Sequence, residues 1–297
     1  MRKFAFSFLL ACVFLFASAA VSCHNGDPDY PTHDDIRYEY KIDLDGYELS
    51  RAYGSSVYEY SIPSVWDDKV NGQKPVVRIG SDSFASWRWL RDVSVPSTVR
   101  QIGDSAFSDL QHLEGVRFAE DCPIDKIGEY AFAYCTALKK IEVPANVESV
   151  GRQTYTYCEG ACEVSFMKSN GVSALKEISE SAFYGCSGIS SVTIPSGVVK
   201  IDRTAFANCY KLAKIDFESG SALEIIQDGA FSRCSKLSEL KIPRGVRFIG
   251  RKILSGRGKN LVIKFEGTEA EWNGIAKDAE WDGGSDNEIT MTYLGNG

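Results

Sequence analysis

Residues 131–147 read AFAYCTALKKIEVPANV, and residues 182–198 read AFYGCSGISSVTIPSGV. Alanine, phenylalanine, cysteine, an apolar trio, proline and valine fall in the same order at the same distances. With Ile127 as position zero, Ala131 is +4, Phe132 +5, Cys135 +8, Leu138 +11, Ile141 +14, Val143 +16, Pro144 +17 and Val147 +20. Units starting at Ile79, Ile102, Ile178, Ile201 and Ile226 repeat most of these offsets, and those at Val150 and Ile249 repeat fewer. The zero positions are separated by 23, 25, 23, 28, 23, 25 and 23 residues. Fixed short periods of this kind mark a solenoid, in which each unit buries its apolar face only by stacking on the next.

Each offset has a physical task. Positions +14 and +16 are two apart, the period of a strand, so both side chains point to one face. They carry Ile, Val, Leu or Phe, which suit a half-buried strand. Proline at +17 has no N–H to offer a ladder and ends the paired segment. Offsets +4, +5 and +8 share one side of a helical turn, so the spacing predicts a short 3-10 or α turn. The fold class is therefore a β-rich repeat solenoid with coils of about 23 residues. Its core columns are Phe84, Phe107, Phe132, Phe183, Phe206 and Phe231 with Cys135, Cys186, Cys209 and Cys234.

The units AFAYCTALKKIEVP and AFSRCSKLSELKIP resemble the BspA type of leucine-rich repeat, over residues 77–266. Two units depart from the pattern. The one from Val150, GRQTYTYCEGACEVSF, loses the Phe and the proline and predicts a bulge or kink. The one from Ile249 has Leu254 and Arg257 in the Phe and Cys slots and reads as a fraying last coil.

The chain opens with Arg2 and Lys3 before an apolar run from Phe4 to Val21, the layout of a secretory leader over residues 1–22. The run is also near the minimum length for a membrane span. Its end, Ala-Val-Ser-Cys at 20–23, resembles a bacterial lipoprotein cleavage box, which implies lipidation of Cys23. Two or more acyl chains make such attachment stable. Residues 23–35 are polar and acidic and read as a flexible tether. Acidic residues directly after the cysteine resemble an export signal to the outer face of the outer membrane. Residues 36–76, with turn signals at Asp45-Gly46 and Asn71-Gly72, read as an N-terminal β-hairpin cap. Residues 267–297 read as a C-terminal cap, with a capping-box pattern from Thr268 to Glu271.

Seven cysteines follow Cys23, and five of them, Cys158 included, occupy offset +8. They alternate there with Trp87 and Leu110, so they read as buried free thiols. Cys158 and Cys162 are the pair best placed for a disulfide, and two thiols alone do not fill a metal shell.

A formal charge of −7 argues against a nucleic-acid partner, since phosphates demand a basic footprint. HExxH, P-loop and GxSxG patterns are absent, the three histidines are scattered, and His112 reads as a lone surface residue. Neither catalysis nor a cofactor is expected. The candidate binding face is the outward side of the strands. At +13 it presents Asp92, Lys140, Ser191, Lys214 and Glu239; at +15, Ser94, Arg117, Glu142, Thr193, Asp216 and Lys241. The resemblance implies a lipid-anchored, adhesin-like surface protein that binds a protein of a host or neighbouring cell. A structural spacer of the envelope and a glycan-binding accessory lipoprotein are the alternatives.

Overall fold

The computed structural model describes residues 36–52, 57–284 and 289–295. The leader, the lipidation candidate Cys23 and the acidic tether lie outside the described residues. Coils are numbered by their zero positions, from coil 1 at Ile79 to coil 8 at Ile249.

Each coil carries two strands. A two-residue strand ends on the zero position in coils 2 to 8, as in Gln101–Ile102, Glu177–Ile178 and Phe248–Ile249. A longer strand covers +13 to +16, as in Asp92–Val95, Lys140–Val143, Ser191–Ile194 and Glu239–Ile242. Equivalent offsets pair in parallel from coil to coil: Ile178 with Ile201, Val192 with Ile215, Leu240 with Ile263. Residues at +14 and +16 are mostly buried, and those at +13 and +15 face outward.

The stretch from +1 to +8 takes the form of consecutive i→i+3 turns rather than a continuous helix. In coil 5, Ala182 N–H donates to Ser179, Tyr184 to Ser181 and Cys186 to Phe183. The intervening N–H groups leave the coil. Those of Ser181, Phe183 and Gly185 donate to the carbonyls of Arg203, Ala205 and Ala207 in coil 6. The backbone donors alternate between their own coil and the next, so this side forms a third inter-coil ladder and leaves few polar groups unpaired. The alternation is achieved by left-handed residues at +3 and +7, for example Ser181 (φ 56°) and Gly185 (φ 72°).

Inside, the +5 side chains form one aromatic stack. Phe84, Phe107, Phe132, Tyr155, Phe183, Phe206 and Phe231 follow one another with centroids 4.6–6.0 Å apart, and each successive pair is stacked. The unit from Val150 therefore keeps an aromatic ring: Tyr155 fills the Phe slot. The irregularity of that region lies in the ladders. The long-strand ladder is interrupted between coils 2 and 3 and between coils 4 and 5, and the short-strand ladder between coils 3 and 4. Without a pairing partner in coil 2, the Glu142 carbonyl of coil 3 accepts the Tyr155 hydroxyl at 3.3 Å.

The +8 cysteines do more than fill space. The thiols of Cys135, Cys158, Cys186, Cys209 and Cys234 each donate to the +5 carbonyl of the preceding coil, at 3.0–3.2 Å. All seven described cysteines are free. Cys158 and Cys162 are not joined: the first is buried on the Phe132 carbonyl, and the second is exposed beside the Lys139 carbonyl at 3.4 Å.

Both ends imitate coils. At the start, Leu49 pairs with Ile79 and Tyr60 with Val93, so residues 46–52 and 57–62 extend the solenoid's two ladders ahead of coil 1. Strand Ile36–Lys41 closes its edge antiparallel to Gly46–Ala52. At the other end coil 8 does not fray. It is followed by a ninth turn, in which Lys277 pairs with Ile249 and Met291 with Ile263. Arg257, buried in the Cys slot, donates forward to the Asp282 carbonyl at 2.6 Å. A six-residue helix, Glu269–Gly274, bridges coils 8 and 9 and is opened by the Thr268/Glu271 capping box.

Candidate interaction surfaces

The long-strand face is where the outward +13 and +15 side chains meet. Asp92, Ser94, Glu142, Asp216, Glu239 and Lys241 are half-buried, while Arg117, Lys140, Ser191, Thr193 and Lys214 are exposed. The charges among them are spent on one another and on adjacent coils. Arg117 reaches Asp92 at 2.6 Å, Lys140 reaches both Glu142 (3.0 Å) and Glu163 (3.2 Å), and Lys214 reaches Asp216 at 2.9 Å. Lys264 pairs with Glu239 at 2.6 Å, and Lys241 with Glu266 at 2.5 Å. Exposed pairs of this kind contribute little stability, about 0–1 kcal/mol each. Their effect is to neutralise the face strand by strand, leaving Ser191 and Thr193 as an uncharged step in the middle.

A second surface lies on the turn side. Tyr134 and Tyr157, both at +7, stack at 5.3 Å, and Tyr184 meets the Tyr157 ring edge-on at 5.4 Å. Tyr134 is 45% exposed and Tyr210, two residues past Asn208, is 48% exposed. The Tyr210 hydroxyl donates to the Asn208 side-chain oxygen at 3.3 Å. Desolvation, then the Tyr184 hydroxyl and the neighbouring phenols, raise the Tyr157 pKa above its ordinary value. A phenolic cluster thus spans coils 3 to 6. Farther toward the N-terminus, Trp89, 48% exposed, stacks on His112 at 4.6 Å, so His112 has an aromatic partner.

The backbone beneath the tyrosines is unusual. Tyr134 (φ 62°) and Tyr157 (φ 57°) are left-handed, a conformation that costs a bulky L-residue roughly 1–2 kcal/mol. The same offset in coils 2, 5, 6 and 8 holds Asp109, Gly185, Asn208 and Gly256, residue types that accept it easily. Gly185 also makes room, because a Cβ there would lie 2.7 Å from Tyr157 Cδ1. Gly220 has the same φ of 72° but nothing within 4 Å of its Cβ position. Gly185→Ala is therefore expected to lower the urea unfolding midpoint more than Gly220→Ala. The second substitution costs only the backbone term of about 1 kcal/mol.

The model of the BspA type leucine rich repeat region (6 copies) matches residues 68–172 and 163–268, together more than half of the chain. The chain belongs to the BspA-type leucine-rich repeat family. Among solved structures it is similar to the leucine-rich repeat protein of T. pallidum, with a TM-score of 0.58 and 25% identity over 70% of this chain and 90% of that one. A leucine-rich repeat protein of Bacteroides capillosus aligns at 27% identity over 47% of this chain and 99% of that one, with a TM-score of 0.40. A leucine-rich cell surface protein of Faecalibacterium prausnitzii aligns at 18% identity over 86% of this chain and 100% of that one, with a TM-score of 0.41. No curated protein matches.

In this BspA-type protein the short-strand face bears a groove lined by Asp104, Asp125, Glu148, Glu177 and Asp202 with Lys126 and Arg152. Arg152 is engaged with Glu129 at 3.0 Å, and the lining carboxylates Glu177 and Asp202 are engaged by Lys200 at 3.2 and 2.7 Å. Among the described residues no group of three or more His, Cys, Asp or Glu side chains is arranged to hold a metal ion. The tyrosine cluster is the feature that reading by offsets overlooks. Tyr184 is at +6 and Tyr210 at +9, so only Tyr134 and Tyr157, 23 residues apart, carried a periodic signal.

Proposed function

We propose that this BspA-type solenoid is a lipid-anchored, non-catalytic surface protein that holds a protein partner through its tyrosine edge. The observation that carries the reading is the pair Tyr134 and Tyr157, stacked side by side, exposed or half-buried, on left-handed backbone where coils 2, 5, 6 and 8 use Asp, Asn or Gly and coil 7 uses Arg233. Strain retained at a surface position, without a packing reward in the core, points to selection for contact. Tyrosine supplies rigid amphipathic contact area at low entropy cost and is enriched at interface hot spots. The alternative glycan reading requires ring faces open to a sugar. Tyr134 and Tyr157 turn those faces toward each other, which favours a polypeptide that meets ring edges and hydroxyls. The self-neutralised long-strand face is assigned a solubilising role.

The test uses cells displaying the full chain, added to epithelial monolayers pretreated with trypsin or with periodate. Trypsin is expected to abolish adhesion and periodate to spare it. Tyr134→Ser with Tyr157→Ser and Tyr210→Ser is expected to weaken adhesion at least about tenfold, since hot-spot truncations each cost about 1–2 kcal/mol or more. Loss to periodate alone would favour the glycan reading. Absence of adhesion, with the chain shown by protease shaving to face outward, would favour the spacer.

A further inference from the structure

Among the described residues the long-strand ladder ends at Ile289–Tyr293, sequence ITMTY, which pairs in parallel with Leu261–Phe265 on one side only. The hydrogen-bond pattern of the ladder fixes which backbone groups are used. Along the array the +13, +15 and +17 N–H groups point back to the preceding coil, as Val262 does to Ser238 and Leu294 to Phe265. Thr290, Thr292 and Leu294 therefore face the array. The N–H and C=O groups of Met291 and Tyr293, and the C=O of Ile289, face away from it, and among the described residues none of them has a backbone partner outside the strand ladder. An open row of this kind is a template for one more strand.

The ends of the solenoid are treated differently. At the start, Ile36–Lys41 places Arg37, Glu39 and Lys41 on the closing strand, and Glu59–Ser61 leads with Glu59; charges on an edge discourage pairing. Ile289–Tyr293 has no charge and no proline. The side chains of Ile289, Met291 and Tyr293 pack on the core yet remain only partly buried, and Leu294 beside them is 48% exposed.

The composition of the strand also selects its partner. Within the array, charged outward side chains find counter-charges on a neighbouring coil, as Arg117 of coil 2 does on Asp92 of coil 1 and Lys264 of coil 8 on Glu239 of coil 7. Thr290 and Thr292 themselves offer no charge to a strand laid against them. An uncharged strand with the same alternation fits, and this strand fits itself. Centred on Met291 in antiparallel register, Met291 opposes Met291 of a second copy, and Ile289 opposes Tyr293. The outward backbone groups then form hydrogen-bonded pairs, while Thr290 opposes Thr292 on the outer face. The arrangement is two-fold and consumes both edges, so it closes rather than polymerises.

We propose that Ile289–Tyr293 is a dimerisation edge, joining two copies of this chain into one continuous antiparallel-centred sheet. The assignment is independent of the partner-binding reading. It would double the outward surface and allow bivalent capture.

The full chain, purified in detergent, is followed by multi-angle light scattering over an about hundredfold dilution series, because dimer mass is concentration-dependent. The wild-type protein mass is expected to approach two chains. Met291→Pro removes an outward N–H that the array does not use. It is expected to raise the dimer dissociation constant at least about tenfold while preserving the folded circular-dichroism spectrum. Thr290→Lys with Thr292→Lys sets lysines against lysines across the edge and is expected to give monomers. Thr290→Lys with Thr292→Glu sets opposite charges face to face and is expected to restore the dimer. A wild-type chain that stays monomeric throughout, double variants that behave alike, or growth past the dimer into filaments would each overturn the proposal.

Discussion

Above about pH 9 the folded solenoid is expected to lose stability at about 5 kcal/mol per pH unit, an unusually steep alkaline transition. The cause is the thiol column. Burial pushes Cys135 and Cys234 up to about 12 and raises Cys158 and Cys209 well above the ordinary thiol range. In the unfolded chain the same thiols ionise near pH 8.5. Between those limits the folded protein keeps protons that the unfolded chain has released, so the unfolded state gains as pH rises. The stabilisation is fully present below about pH 8.5 and is withdrawn as pH climbs toward the folded values. Each thiol contributes about 1.4 kcal/mol per pH unit; the four set most of the slope, with Cys122, also raised by burial, adding to it and the buried Tyr60 and Tyr155 joining as pH approaches about 10. A domain whose whole margin is about 5–15 kcal/mol is thereby brought to unfolding near pH 10. The measurement is a series of urea titrations under reducing conditions between pH 7.5 and about 10. Cys135→Ala with Cys234→Ala lowers stability at every pH by opening space and orphaning two carbonyls, but it should also cut the slope by about half. A pH dependence unchanged in that variant would show that the thiols are not the titrating groups.

Much of this architecture was legible because two periods coincide in the sequence. The alternation of +14 and +16 specified strands, and the recurrence at about 23 residues specified that they stack. What stayed hidden has identifiable causes. Offsets +4, +5 and +8 fit a helical turn and a run of i→i+3 turns equally well. The left-handed positions that separate the two are filled by Tyr134, Thr204 and Arg233 as well as by glycine, so composition does not mark them. Tyr155 looked like a lost phenylalanine, although it keeps the ring and adds a hydroxyl for a carbonyl that the interrupted ladder leaves open. The ninth turn was obscured because its slots hold Lys277, Trp281 and Met291 rather than Ile, Ala and Ile. Trp281 nevertheless accepts the Ile253 N–H through its carbonyl at 2.8 Å, as an ordinary +4 residue would. Among the surfaces, the charged columns at +13 and +15 and the pairing within a strand, Lys140 with Glu142, were visible as offsets; the pairing between coils, Arg117 with Asp92 and Lys264 with Glu239, was not, because it depends on diagonal reach. The tyrosine cluster assembles side chains from three different offsets and exists only once the coils are stacked.

The stacked rings make a further quantitative expectation. Phe183 lies between Tyr155 at 5.6 Å and Phe206 at 5.0 Å, with Phe166 edge-on at 6.2 Å, and is fully buried. Phe183→Ala removes a ring that both neighbouring coils use as a wall, in an interior whose backbone is held by three inter-coil ladders toward coil 6 and two toward coil 4 and cannot easily collapse. The expected loss is about 4 kcal/mol, near the upper range for Phe→Ala in a core. Because each coil touches only its neighbours, the damage should also uncouple the array, splitting one urea transition into two with a smaller slope for each. Tyr155→Phe tests the same column differently. It keeps the stack and deletes only the hydroxyl that serves the Glu142 carbonyl, so its cost should be about 1–2 kcal/mol with cooperativity intact. Equal costs for the two variants, or a Phe183→Ala loss below about 2 kcal/mol, would mean that the strand ladders and not the aromatic column transmit stability along the solenoid.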